Sequence, residues 1–95
     1  MISETIKIGK GKIEALLMPL GVKNLIVLRG SRGYIMCGYL NLSAANKFKD
    51  VAAKITGVAT IKDALAAKIH SVSFAAKTAG IHQGQPVREA LKIIV

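Results

Sequence analysis

Two regimes of apolar spacing divide the chain. Up to about residue 40, apolar residues fall in short dense runs punctuated by glycine; beyond Ser43 they return every three or four positions. The first regime predicts strands. "TIKI" is a short one, "GKGK" a turn, and "KIEALLMPL" a longer strand ended by Pro19 and Gly21. "NLIVLR" follows, then the hairpin loop "GSRG", then a strand over "YIMCGYL", Tyr34 to Leu40. Short connections between adjacent strands predict an antiparallel meander. The second to fourth strands are apolar on both faces, so both need a cover: helices on one side and a second copy of the chain on the other.

The second regime predicts helices. With Ser43 as N-cap, Ala44, Phe48, Val51, Ala52 and Ile55 share one helical face, and Asn46, Lys47, Asp50 and Lys54 lie opposite. Asp50 and Lys54 form a favourable pair one turn apart. "ITGVA" reads as a short strand or connector. Thr60 and Asp63 open another helix, with Ile61, Ala64, Leu65 and Ile69 as its stripe. "HSVSFAAKTAG" alternates like a strand, then becomes a short helix closed by Gly80. Pro86 starts a last helix that buries Val87, Ala90, Leu91 and Ile94 and leaves Ile93 and Val95 for a partner. Strands first and helices afterwards predict an α+β domain spanning residues 1–95. Its sheet is mainly antiparallel with about four or five strands, starting as an N-terminal meander. Three to four helices in the C-terminal half pack on one face.

Composition sharpens this picture. Hydrophobic residues make up 52% of the 95 positions but aromatics only 4%, so Ala, Ile, Leu and Val must build the core. One cysteine excludes an intrachain disulfide and fits a reducing cytoplasm. The N-terminus lacks the basic and apolar regions of a signal peptide, and no apolar run is long enough to span a bilayer. A cytoplasmic protein without membrane contact is expected. Lys and Arg number 14 against 5 Asp and Glu, a formal charge of +9, which attracts anions of every kind.

Three blocks, "GYIMCGYLN" (Gly33 to Asn41), "GVATIKDAL" (Gly57 to Leu65) and "GIHQGQPVREAL" (Gly80 to Leu91), resemble the YunC-like proteins of bacilli and archaea, a family of unknown function. The first block is the most specific. The resemblance implies a small cytoplasmic protein and brings no activity, cofactor or catalytic residue with it.

Candidate chemistry is therefore read from the residues. Cys37 follows apolar neighbours and reads first as a core residue, slow to alkylate; as a nucleophile it would need His70 or His82 beside it. No metal-ligand spacing joins these three, and neither a metal nor a cofactor is expected. The glycines of "RGSRG" read as turn residues with positive φ, and the stretch lacks the order of a phosphate-binding P-loop. "GIHQGQP" leads into a helix whose free amides, with His82, Gly84 and Arg88, and with Arg32 from the earlier loop, are read as the binding site for a small anionic ligand. The favoured function is thus a self-associating binder of such a ligand. The alternatives are non-specific nucleic-acid binding through dispersed lysines, disfavoured by scarce stacking residues, and a cysteine-dependent enzyme using Cys37.

Overall fold

The structure, a computed structural model, describes residues 1–95. Six strands form one sheet in chain order: β1 (Ile2–Ile8), β2 (Gly11–Leu20), β3 (Lys23–Arg29), β4 (Tyr34–Met36), β5 (Ala52–Lys54) and β6 (Ser71–Val72). Four helices complete the α+β fold: α1 (Leu42–Lys47), α2 (Ile61–Ala66), α3 (Phe74–Ala79) and α4 (Val87–Ile94). All strand pairs are antiparallel except β4–β5, which is parallel. A parallel pair needs a crossover, and residues 37–51, including α1, supply it.

Cross-strand register sorts the side chains. Leu17 pairs with Ile26, and Ala15 with Leu28, which pairs in turn with Ile35 and then Ala53. These residues are buried and form one apolar cluster with Leu91, Val87, Ala90 and Ile94 of α4 and Ile61 and Ala64 of α2. The cluster is aliphatic, as the composition requires. The opposite row, Leu16, Val27 and Met36, with Met18 and Leu25 beside it, is only half-buried. Ile93 and Val95, expected to need a partner, instead pack against the core.

Two expectations fail for local reasons. The strand over "YIMCGYL" stops at Met36. Cys37 N–H still reaches the Ile26 carbonyl (3.1 Å), but Leu40 N–H then turns back to the Cys37 carbonyl (3.1 Å). The helix read from Ser43 to Ile55 ends at Lys47, and its cap is Asn41, whose side chain accepts from Ala44 N–H at 3.2 Å. Lys49 adopts φ 60°, the left-handed region, and no other non-glycine residue has a positive φ. Around it, Lys49 N–H donates to the Asn46 carbonyl (3.1 Å) and Asp50 N–H to the Ala45 carbonyl (2.9 Å). This is a Schellman helix stop with lysine where glycine is usual. Ala44 and Phe48 are consequently exposed, and Ala52 joins a strand. By contrast, α2 is capped by Thr60 (3.0 Å to Asp63 N–H), and α3 closes on left-handed Gly80, both as the sequence predicts.

Ser73 ties the short elements together. It is 1% exposed. Its hydroxyl donates to the Asp50 carbonyl (2.7 Å) and accepts from Ala52 N–H (3.0 Å) and Ala76 N–H (3.1 Å). One side chain thus caps α3 and fixes the entry to β5.

Candidate functional site

The loop Gly30–Gly33 joins β3 to β4 and rests on two backbones. Arg32 N–H donates to the Ile94 carbonyl (2.9 Å), Ser31 Oγ to the Val95 carbonyl (3.0 Å) and Tyr34 N–H to the Val51 carbonyl (3.0 Å). A Cβ on Gly30 would collide with the Ile94 carbonyl group, and one on Gly33 with Val51. Neither glycine has positive φ. Close approach, not turn geometry, is why glycine stands there.

This loop and the Lys49 helix stop form the walls of a shallow groove of about 330 Å³. Arg29, Arg32 and Lys49 line it and are exposed; Asp50 is its one acid. Asp50 accepts a hydrogen bond from Tyr34 Oη at 2.9 Å, not an ion pair with Lys54 one helical turn on. The Ser31 and Gly33 amides make no hydrogen bond within the chain.

Burial first, and then the hydrogen bond and charge of Asp50, push the Tyr34 phenol above its ordinary value of 10.0. The folded state therefore holds this proton more tightly than the unfolded chain. Its contribution to stability is complete below pH 10 and is lost as pH rises through the higher folded value. Tyr34→Phe is expected to cost about 1 kcal/mol at neutral pH, for one hydrogen bond, and to flatten the decline in stability above pH 10. Urea titrations at several alkaline pH values measure both.

The residues read as one anion site are not brought together. Arg32 meets the C-terminal end of α4, at Ile94, whereas His82, Gly84 and Arg88 lie at its start. Roughly 10 Å of helix axis separates the two ends. Nor are most of the loop amides before α4 free. Gly84 N–H donates to the Ile69 carbonyl (2.8 Å), Gln85 N–H to that of His82 (3.2 Å) and Val87 N–H to that of Ala67 (3.0 Å). His82 N–H donates to Gln85 Oε1 (3.3 Å). The loop is stitched to residues 67–69, and buried Gln85 closes it from within. Nothing in the spacing "GIHQGQP" distinguishes this from an open helix start.

Cys37 lines a second, larger cleft of about 410 Å³ beyond the C-terminal ends of β4 and β5, with Lys23, Asn24, Tyr39, Thr56 and Val58. Its thiol donates to the Asn24 carbonyl (3.3 Å) and accepts from Ile26 N–H (3.2 Å). His70 and His82 are exposed and are not part of this cleft; their ring nitrogens contact Ser71 Oγ and the Gln83 carbonyl, both at 3.1 Å. No three His, Cys, Asp or Glu side chains converge anywhere in the chain. Cys37, 5% exposed, is expected to alkylate slowly; iodoacetamide labelling of native against urea-unfolded protein measures the difference.

Phe48, expected on the apolar face of a helix, and Phe74 both stand outside the core. They are 73% and 74% exposed and are the chain's only phenylalanines. A core otherwise built from aliphatic residues has left both on the outside.

Residues 36–94 match the family described as a domain of unknown function, DUF1805. Over 72 residues the chain is 42% identical to the uncharacterized protein YunC of Bacillus subtilis (strain 168), covering 72% of this chain and 71% of that protein. Its fold is similar to the crystal structure of TA1206, a protein of unknown function from Thermoplasma acidophilum. The TM-score is 0.95 at 35% identity, over 99% of this chain and 92% of that one.

Proposed function

The chain belongs to the DUF1805 family and is YunC-like, and from that premise we propose that it is a cytoplasmic, self-associating protein that binds a small anionic ligand through Arg29, Arg32 and Lys49. The carrying observation is three exposed cations around one groove whose only acid is engaged by Tyr34. The unbonded Ser31 and Gly33 amides add donors of the kind that hold phosphate oxygens. The left-handed Lys49 adds a second argument. Such a conformation costs a non-glycine residue about 1–2 kcal/mol, and strain of this kind clusters where a side chain has a task.

Self-association is supported by the row Leu16, Val27 and Met36, which is only half-buried and lies outside the apolar cluster. The occupant would be a second copy, because the row is apolar along its length and a two-fold axis lays it against itself. Sedimentation at micromolar concentration reads it: a species of 10.0 kDa alone rejects it.

Calorimetric titration with pyrophosphate tests the ligand reading. Arg32→Ala is expected to weaken binding about tenfold, the loss of one charged hydrogen bond. Lys49→Gly should also weaken it, yet raise stability by about 0.5–1 kcal/mol through relief of the left-handed strain. Both variants binding pyrophosphate like the parent would end the reading.

A further inference from the structure

The two exposed phenylalanines are tied to the segment that supplies Lys49 to the basic groove. Phe74 N–H donates to Asn46 Oδ1 at 2.8 Å, and the preceding residue, Ser73, donates to the Asp50 carbonyl at 2.7 Å. Phe74 is thereby pinned to both ends of the segment Asn46–Asp50, which carries Phe48 and the groove residue Lys49. Lys47 precedes Phe48, and Lys77 stands one turn beyond Phe74 on α3; both are exposed.

Two aromatic rings held in water by a rigid backbone, flanked by cations, match one ligand chemistry well. Bases have π-faces that stack on aromatic rings whatever their sequence, and a basic groove tracks the phosphates between them. A bare inorganic anion would use the cations and ignore the rings.

Resting on the anion-binding reading of the groove above, we propose that the anion it takes is the phosphate backbone of single-stranded nucleic acid rather than a free small ligand, with phosphates at Arg29, Arg32 and Lys49 and bases stacked on Phe48 and Phe74. These are two exposed rings in a chain otherwise scarce in aromatics. The net charge of +9 supplies long-range attraction, and the rings supply the preference for unpaired bases. Recognition would be tolerant of sequence, because no base-edge reader accompanies the rings.

Fluorescence anisotropy with a labelled oligouridine of roughly twelve nucleotides, within the usual span of such sites, tests this across a salt series, with pyrophosphate titrated in parallel. Phe48→Ala and Phe74→Ala are each expected to weaken oligouridine binding about fivefold or more and to leave pyrophosphate binding and thermal stability unchanged. Phe48→Trp should bind like the parent, with its fluorescence quenched by the oligonucleotide. Arg32→Ala should lower the slope of log affinity against log salt by about 0.7, one phosphate contact on a single strand. Oligouridine binding that survives both phenylalanine substitutions overturns the inference while leaving the groove reading intact. So does equal binding of a duplex, or binding to phosphatidylserine vesicles without binding to oligouridine. Loss of pyrophosphate binding in neither cation variant overturns the groove itself.

Discussion

Ser73→Ala is expected to destabilise the protein by about 2–4 kcal/mol. The loss of an N-cap contributes about 1 kcal/mol. The larger share comes from the backbone groups left behind. Ala52 N–H and the Asp50 carbonyl both rely on this hydroxyl, and each lies where the fold offers no substitute partner. A buried polar group without a partner costs about 1–3 kcal/mol. A change of this size lowers the melting temperature of a domain this small by on the order of 10–25 °C. Urea unfolding should show a lower midpoint with unchanged slope, because the folded surface is the same. A midpoint within the error of the parent would mean that Ser73 does not hold β5 and α3 together.

Gly33→Ala is the second large effect. An added Cβ would collide with the Val51 carbonyl oxygen and come 2.9 Å from Val51 Cβ, on the strand side of the hydrogen bond from Tyr34 N–H. A backbone carbonyl cannot swing away as the end of a long side chain would, so the β4–β5 contact must open. Overpacking of this kind costs about 1–3 kcal/mol, occasionally more. Gly30→Ala should behave alike, since its Cβ would meet the Ile94 carbonyl group, 2.6 Å from the carbon. Gly9→Ala makes a useful contrast. Open space surrounds that position, but its φ of 60° resists a side chain, so its cost arises from local strain alone, about 1–2 kcal/mol. Thermal melts of the three variants rank the two causes.

The strands of the N-terminal half were legible because dense apolar runs bounded by glycine or proline have few other solutions, and α4 was legible because its four buried positions repeat at helical spacing. The segment 43–55 was not. Its alanines suit a helix and a buried strand equally, and the decision falls to Lys49, a residue whose composition gives no hint of a left-handed turn. That single misreading placed Phe48 in the core and hid the aromatic pair. Arg32 reads from sequence as a loop cation joined to the helix start at His82, Gly84 and Arg88, whereas the structure sets it against the other end of α4, at Ile94. The register that sets Arg29 and Lys49 beside it depends on the parallel β4–β5 pairing, which no local pattern encodes. Cys37 was read as a core residue from its apolar run, and it is buried.

Strand order equal to chain order also shapes how the protein is made. β1, β2 and β3 can pair as soon as Arg29 has left the ribosome, because their connections are tight turns. The helices that cover Ile13, Ala15, Ile26 and Leu28 come much later in the chain: α2 begins at Ile61, and α4 spans Val87–Ile94. During synthesis a nascent ribbon therefore shows apolar side chains on both faces until α4 has been made. Such a species is prone to aggregate and to be held by chaperones. A break in the chain between α2 and α4 would leave those side chains uncovered, so α4 serves as a seal on the sheet.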